Sequence, residues 1–364
     1  MKKLIFFSLL LTCISSAKAD HITGGEMYYT SQPAPNGAIT YSITLKLFMR
    51  CNSGREFNNP AIVSVFNRTT NARESNINVL LASRQTISLS DAGPCISNPP
   101  QVCYVIGTYQ FTVTLPASQE GYTLSSQVNY RIANISNLSS YNNIGATYTC
   151  EIPGTTPVAN GPSNNSAQFT GNDLVVVCAN NRFSYSFAAT DPDGDHLNYS
   201  FCDAFVSGTS ITGNMTTPPL APPYSSVPYR SGFGGSAPLG GNVKIDENTG
   251  LITGIAPETG VYVVTVCVQE VRNGTVIATQ RKDLQIYIAD CDIAAAMLEP
   301  EYQLCRDTKT ISIANQSNSA LIKSQNWEFK NNAGTTIFEA TGAAATYAFP
   351  DTGLYTIKLA INRD

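Results

Sequence analysis

Histidine is scarce in this sequence, and so are several motifs that enzymes need. The 364 residues contain two histidines, His21 and His196. Neither lies in a nucleophile or zinc-protease motif. The sequence also has no phosphate-binding Gly-x-x-x-x-Gly-Lys loop and no Cys-x-x-Cys pair. Because nucleophilic, nucleotide-dependent and zinc enzymes need such residues, we expect a protein that is not an enzyme.

Charge is also low. Charged residues make up 13% of the chain, about half of the ~25% that is usual in soluble domains. The formal net charge is −4, and lysines and arginines form no cluster. Nucleic acids and anionic membrane surfaces are therefore not expected as partners, because both attract basic patches.

Long hydrophobic runs are missing as well. The longest mostly apolar stretch, Leu4 to Ile14, is shorter than the ~20 residues that span a bilayer. It follows Lys2 and Lys3 and precedes Ala17-Lys18-Ala19, the order found in a secretory signal peptide. We therefore predict that residues 1–19 are cleaved and that the protein is secreted or lies on the outer cell surface, without membrane insertion. Cleavage would remove three lysines and no acid, which lowers the formal net charge from −4 to −7.

In an exported protein the cysteines can form disulfides, because disulfides persist outside the cytoplasm. Nine of the ten cysteines follow the predicted cleavage site, so one thiol is left over. Cys202 and Cys267 each end a strand-like stretch, which favours a bridge between them. Four others allow three pairings, and the sequence does not choose among them. One of these pairings joins Cys95 to Cys103 across a small loop and leaves Cys51 for Cys150.

Apolar and polar residues alternate with a period of two in several segments, as in half-buried strands. The clearest example runs from Ile39 to Leu47 and follows the turn dipeptide Asn36-Gly37. Similar segments are Tyr109 to Leu115, Tyr262 to Val268 and Leu284 to Ile288. Short strands separated by Gly, Pro and Asn turns predict an all-β protein of tandem immunoglobulin-like β-sandwich domains, stapled by disulfides.

The chain is too long for a single sandwich of about 100 residues. Composition predicts a first sandwich over 20–152, a linker over 153–168, a second sandwich over 169–291 and a final domain over 292–364. A long Pro/Gly loop, 207–241, interrupts the second sandwich. The final domain ends directly after a strand, so we expect it to be truncated, with further domains following residue 364.

Three motifs carry a resemblance to a known family. They are His21-Ile22-Thr23-Gly24-Gly25-Glu26-Met27-Tyr28-Tyr29, the stretch from Ala189 to Ser200, and the stretch from Ile245 to Gly254. Together they resemble the N-terminal region of large Bacteroidota surface proteins. In that family these modules precede immunoglobulin-like repeats of the PKD type and a C-terminal domain linked to gliding motility and type IX secretion. The resemblance implies placement at the outer surface.

Two parts of the chain also resemble individual repeats. Residues 305–364 resemble a PKD repeat, with Trp327-Glu328-Phe329 as its Trp-x-Phe strand and Gly353 to Leu359 as its Gly-x-Tyr strand. The usual Gly-Asp-Gly is replaced by Lys330-Asn331-Asn332. Residues 178–290 resemble cadherin-like or Ig-like repeats, which share an Asp-rich turn followed later by a Thr-Gly-x-Ile/Leu strand entry.

That Asp-rich turn is the sharpest chemical signal in the sequence. Asp191, Asp193 and Asp195 stand at alternate positions and could converge on a hard cation such as calcium, with Asp246 as a fourth oxygen ligand. The alternative is an ordinary tight turn, in which Pro192 fixes φ and the carboxylates are solvated. No other cofactor is expected.

The long loop supplies a second candidate site. Tyr224, Tyr229, Arg230 and Phe233 place aromatic and guanidinium groups on a Gly/Pro-rich frame, of the kind that stacks on sugars or proteins. The alternative is an ordered cover in which these rings pack against the sandwich.

The sequence therefore favours a non-catalytic spacer or adhesin segment of the cell surface, whose partner is an extracellular protein or glycan surface. A carbohydrate-binding accessory region of a secreted polysaccharide-degrading protein is the alternative, and it would need an aromatic platform in the long loop.

Overall fold

The structure is a computed structural model that describes residues 21–89, 96–97, 102–140, 144–155, 164–174, 176–207, 218–304, 308–317, 319 and 321–363. The predicted signal peptide, Cys95 and Cys305 lie outside these residues. Within them the secondary structure is strands and one short 3-10 helix, Pro35–Gly37. The described residues contain no helix that is long and apolar enough to cross a membrane. The protein is all-β, as the alternation predicts.

The first nine strands come from the region predicted as the first sandwich. The first two strands form a hairpin whose turn contains Asn36 and Gly37. Both residues have positive φ, a conformation that Asn and Gly adopt more readily than other residue types. In order the strands are β1 (Ile22–Pro33), β2 (Ile39–Arg50), β3 (Ala61–Asn67), β4 (Arg73–Val79), β5 (Leu81–Ser88), β6 (Ile96–Ser97), β7 (Cys103–Leu115), β8 (Gly121–Val128) and β9 (Ala146–Pro153).

The next nine strands come from the second region. The two longest of these strands form a hairpin whose turn contains Asn273 and Gly274, which again have positive φ. The strands are β10 (Gln168–Phe169), β11 (Val176–Cys178), β12 (Arg182–Ser186), β13 (Ala189–Thr190), β14 (His196–Phe201), β15 (Val243–Ile245), β16 (Leu251–Ile255), β17 (Gly260–Arg272) and β18 (Thr275–Ala289).

The last region forms a smaller sandwich. Its core holds Trp327, Phe329 and Phe349, and Trp327 Nε1 donates to the carbonyl oxygen of Gly342 at 2.8 Å. The sheet β22-β21-β24 faces the pair β20-β23. The strands are β19 (Asp292–Ile293), β20 (Thr310–Ala314), β21 (Gln325–Lys330), β22 (Thr336–Thr341), β23 (Ala344–Ala348) and β24 (Thr356–Ile361).

One long sheet runs through the first two regions. Its order is β14-β17-β18-β1-β2-β7-β5, and β11 pairs in parallel with the end of β18. The joint is the antiparallel pairing of β1 with β18, where Gly24 lies opposite Leu284 and Glu26 opposite Lys282. The predicted division at 153–168 into two separate sandwiches is therefore wrong in one respect, because the two regions share a sheet.

Each region nevertheless keeps its own hydrophobic core. The first core, with Met27 and Tyr29 of β1, lies between the long sheet and the sheet β4-β3-β8-β9. The second, with Leu284 and Ile286 of β18, lies between the long sheet and β12-β16-β15. Because side chains alternate along a strand and Gly24 is opposite Leu284, the two cores lie on opposite faces of the sheet.

Two glycines make the joint possible. A Cβ at Gly24 would collide with the main-chain oxygen of Asp283. A Cβ at Gly25 would lie 2.9 Å from the ring of Tyr148 on β9. The Gly24-Gly25 pair of the first motif thus permits the close approach of β1 to its neighbours.

Three disulfides are present among the described cysteines. They join Cys51 to Cys103, Cys178 to Cys291, and Cys202 to Cys267. The last is the bridge between adjacent strands that the sequence favours, since β14 pairs with β17.

The pairings Cys95–Cys103 and Cys51–Cys150 are wrong. Strands β2 and β7 are antiparallel neighbours, and Arg50 lies opposite Tyr104, so the next residues, Cys51 and Cys103, meet with their Cα atoms 5.4 Å apart. Cys150 lies inside the first core as a free thiol, and burial raises its pKa.

Candidate functional site: an acidic turn beside a buried joint

The acidic turn connects β13 to β14. Asp191, Asp193 and Asp195 each offer one carboxylate oxygen, and these three oxygens lie within 4.8 Å of one another. Asp191 Oδ1 accepts the backbone N–H of Asp193 at 2.9 Å and of Asp195 at 3.0 Å, and Gly194 has a φ of +80°. Burial raises the pKa of Asp191, and the hydrogen bonds from the N–H groups of Asp195 and Asp193 oppose this shift. The turn is thus both a tight Asx-type turn and a convergence of three acids.

An arginine lies against this turn. The Arg272 side chain at the end of β17 donates to both oxygens of Asp195, at 2.7 Å and 2.6 Å, and to Asp193 Oδ2 at 3.3 Å. A guanidinium therefore already neutralises part of the charge where calcium was predicted. Calcium binding stays a prediction, and the ion would have to share these carboxylates with Arg272.

Asp246 has a separate role. Its Oδ1 accepts the N–H groups of Asn248 and Thr249 and the hydroxyl of Thr249. These bonds, the hydroxyl of Thr249 first, lower its pKa. Asp246 is not among the described acids that converge at the turn, so the structure does not bring the predicted fourth ligand to the other three.

Removing the guanidinium tests how the turn is neutralised. We expect Arg272→Met to lower the free energy of unfolding by about 1–2 kcal/mol, because it leaves like charges unpaired and removes charge-assisted hydrogen bonds. Millimolar calcium should recover part of this loss in the variant and should raise the melting temperature of the wild type much less. Melting curves with calcium and with chelator measure both effects. A wild-type shift as large as that of the variant, abolished by Asp193→Ala, would instead establish a calcium site in the native turn.

The segment 164–167 lies between the acidic turn and β1. Asn165 donates its backbone N–H and its side-chain amide to Asp193, both at 2.7 Å. The Tyr29 N–H donates to Ser166 Oγ at 2.8 Å, and the Ser166 N–H donates to the carbonyl oxygen of Tyr29 at 3.1 Å. Asn164 and Ser166 are almost fully buried. This part of the predicted linker is therefore an ordered element of the joint.

Glu270 lies at the inner end of the same segment and is fully buried. Its carboxylate accepts three hydrogen bonds, from the Asn164 amide at 2.7 Å, the Ala167 N–H at 2.8 Å and the Gln280 amide at 3.1 Å. Burial nevertheless raises the pKa of Glu270 to about 7, and the three donors oppose this shift. The carboxyl group thus joins segment 164–167 to β17 and β18.

The raised pKa of Glu270 predicts a pH dependence. A carboxyl whose pKa is higher in the folded than in the unfolded state contributes stability at low pH and loses it as the pH rises through the folded value. Between pH 5 and pH 8 the wild type should lose about 2 kcal/mol more stability than Glu270→Gln, whatever the absolute stability of the variant. Urea unfolding across this range measures the difference. Parallel pH profiles of the two proteins would show that Glu270 does not titrate there.

A buried ion pair lies on the face of the joint opposite to Glu270. Arg131, which is fully buried, donates to Asp283 Oδ1 at 2.9 Å and to Oδ2 at 2.5 Å, and also to the carbonyl oxygen of Phe205 at 3.2 Å. Asp283 belongs to β18, whereas Arg131 follows β8. The pair therefore ties the first region to the second.

A second charged cluster lies on the face of the joint opposite to the Arg131–Asp283 pair. Lys282, also buried, forms an ion pair with Asp173 and lies 4.0 Å from Glu26. Lys46 binds the same Glu26 at 3.2 Å. Positive and negative groups therefore alternate across β2, β1 and β18, which satisfies charges that would otherwise be costly to bury.

The described part of the long loop packs as a cover over the second sandwich. The Ala204 N–H donates to the Tyr229 hydroxyl at 3.1 Å, and the Phe233 ring lies 5.8 Å from that of Tyr262. Tyr224 packs against Phe205, and burial raises its pKa to about 12. Arg230 is exposed and lies over Phe233. These contacts correspond to the cover alternative, and the rings do not form one exposed platform.

No motif in the sequence marks Arg272, Glu270 or the Arg131–Asp283 pair as part of a site. A signal for two buried charges was present, because Glu270 and Lys282 continue the apolar alternations of Tyr262 to Val268 and Leu284 to Ile288. A charged residue where the pattern calls for an apolar one indicates a buried, paired charge. Nothing local to Arg131 indicates its distant partner.

No protein-family profile and no curated protein sequence matches this chain. Among solved structures, it is similar to the N-terminal four Ig domains of Dscam1 isoform 4.44, with 10% identity over 93% of this chain and 88% of that one and a TM-score of 0.17. A second Dscam structure, described as the basis for isoform specificity, has 11% identity over 94% and 89% of the two chains and a TM-score of 0.16. Scores this low establish no shared arrangement, so the fold class rests on the strands and sheets of this chain.

Proposed function

We propose that this chain is a non-catalytic segment of an extracellular surface protein, in which disulfide-stapled β-domains act as a stiff spacer or adhesin stem. In the finer form of the proposal the protein is a Bacteroidota surface protein exported by type IX secretion. This finer form rests on the sequence motifs alone.

The observation that carries the proposal is the shared sheet. A flexible string of modules would leave few contacts across its linkers. Here β1 pairs with β18, segment 164–167 is buried, and the Arg131–Asp283 pair crosses the same joint. Such a joint fixes two domains relative to each other, which is what a spacer that holds a distal part away from a surface requires.

The disulfides support placement outside the cytoplasm. Cytosolic thiols are kept reduced, whereas exported domains keep structural bridges. Each of the three bonds closes a loop within one region, with sequence separations of 52, 113 and 65 residues. Loops of this size gain substantially from closure.

Surface labelling of intact cells tests location and redox state together. Cells that express the native gene would be treated with a membrane-impermeant amine reagent, and the protein would then be alkylated without reduction and analysed by mass spectrometry. The proposal predicts a labelled protein with bonds Cys51–Cys103, Cys178–Cys291 and Cys202–Cys267, and with Cys150 alkylated only after denaturation. An unlabelled protein with reduced cysteines would contradict extracellular placement.

A further inference from the structure

Lys282 is a primary amine enclosed beside the second core. Its side chain is 3% exposed, and it lies on β18 on the same face as Leu284 of that core. The ring centroids of Phe48 and Phe169 lie 5.8 Å and 5.7 Å from its Nζ. Bulk water is therefore kept away from this amine, and the groups packed around it decide its chemistry.

Two carboxyl groups face the amine. Asp173, in the loop between β10 and β11, accepts a hydrogen bond from Lys282 Nζ at its Oδ1. Glu26 on β1 is fully buried, and its Oε1 lies 4.0 Å from the same Nζ. Glu26 also binds Lys46. The amine thus has one carboxyl group in contact and a second within a small side-chain movement of hydrogen-bond distance.

A plain ion pair satisfies these groups poorly. An ammonium has three N–H donors, and among the described residues Asp173 gives the Lys282 ammonium its one hydrogen bond. A buried ion pair stabilises a fold only when further hydrogen bonds satisfy both charges. An amide between the same two side chains would carry no charge and would leave one N–H and one carbonyl oxygen to satisfy. Burial therefore favours the neutral amide over the two charges.

We propose that Lys282 and Asp173 condense in the folded chain to an intramolecular isopeptide bond, with Glu26 as the proton carrier. A proton first passes from the ammonium to the Asp173 carboxylate, which leaves a neutral amine and a neutral acid. The lone pair of Nζ then attacks Cγ of Asp173. Glu26 takes a proton from the nitrogen and gives it to the hydroxyl of Asp173, so the C–O bond breaks, the amide C–N bond remains and one water leaves.

The reaction needs no oxidant and no cofactor. One ammonium and one carboxylate give one amide and one water, and Glu26 ends in the protonation state in which it began. Holding the two groups in contact supplies much of the driving force, because effective concentrations in well-oriented intramolecular reactions are very high. Exclusion of water protects the product from hydrolysis.

The bond would add a second cross-link beside a disulfide. It joins positions 109 residues apart, and the Cys178–Cys291 bond joins positions 113 residues apart. Both tie the chain around β11 to β18 or to the residues just after it, and the amide would survive reducing conditions. This cross-link does not depend on the spacer role proposed above.

The mass of the purified mature chain tests the proposal. After unfolding, reduction and alkylation, we expect the wild type to be lighter than its sequence predicts by the mass of one water molecule. Lys282→Arg is the matched control, because its guanidinium can keep the ion pair with Asp173 but stays protonated and cannot attack. This variant should have its full mass. Glu26→Gln keeps both reacting groups, and we expect most of it to stay unlinked.

Peptide mapping locates the lost water. Trypsin does not cleave after an acylated lysine, so the wild-type digest should contain a branched peptide that joins the segment of Asp173 to that of Lys282. A wild type of full mass that is cleaved after Lys282 would overturn the proposal, however the variants fold. A lost water that maps to Asp193-Gly194, as a cyclic imide, would also overturn it. Complete linkage in Glu26→Gln would overturn the role assigned to Glu26.

Discussion

Asp283→Ala is expected to lower the free energy of unfolding by about 3–5 kcal/mol, because it leaves the Arg131 guanidinium buried without its counter-charge. Arg131 has no exposed surface, so water cannot replace the two hydrogen bonds that it donates to Asp283. Equilibrium unfolding in urea, followed by circular dichroism, measures the loss.

A double variant separates the burial of a lone charge from the loss of attraction. Arg131→Met combined with Asp283→Leu removes both charges and keeps similar volumes, so it should cost much less than Asp283→Ala alone. If the single variant loses less than about 1 kcal/mol, then Arg131 is hydrated or has another partner, and the pair does not hold the joint.

The second large effect is expected from the Cys178–Cys291 bond. This bond joins the end of β11 to the residues after β18, and it closes the largest of the three loops, with a sequence separation of 113 residues. Loop-closure entropy predicts that Cys178→Ala with Cys291→Ala costs about 4–5 kcal/mol. The parallel pairing of Val176 to Cys178 with β18 should weaken at the same time.

Thermal unfolding under non-reducing conditions measures this loss. The matched control is Cys51→Ala with Cys103→Ala, which opens a loop of 52 residues and should cost slightly less. A smaller loss for the Cys178–Cys291 pair than for the control would show that native strain or residual structure dominates over chain entropy there.

Local patterns in the sequence predict several of the strands, because the alternation of apolar and polar residues is a local signal. Ile39 to Leu47 and Leu284 to Ile288 lie in β2 and β18, and Cys202 and Cys267 meet because their strands are neighbours. The alternation says which residues face a core but does not say which strand lies next to which. The pairing of β1 with β18 joins residues more than 250 positions apart, and no local signal carries it.

The acidic turn likewise combines residues that a local pattern predicts with a distant residue that it does not. The turn itself follows from Asp191-Pro192-Asp193-Gly194-Asp195, and both predicted readings depend on these residues. Arg272, which neutralises the turn, comes from a strand end about 80 positions later. Segment 164–167 reads as a polar linker because its asparagines and serine resemble loop residues. The Asn164 amide in fact donates to the buried carboxylate of Glu270, and Ser166 Oγ accepts the backbone N–H of Tyr29 in β1.

The most direct test of whether the first two regions form one stiff unit is hydrogen exchange by mass spectrometry across a urea series. Peptides from β2 report on the first core and peptides from β17 on the second. If the β1–β18 joint couples the two cores, both sets should lose protection at the same urea concentration, and Asp283→Ala should lower that concentration for both. Loss of protection in one core while the other stays protected, with Asp283→Ala affecting only one, would contradict a shared unit and with it the stiff spacer.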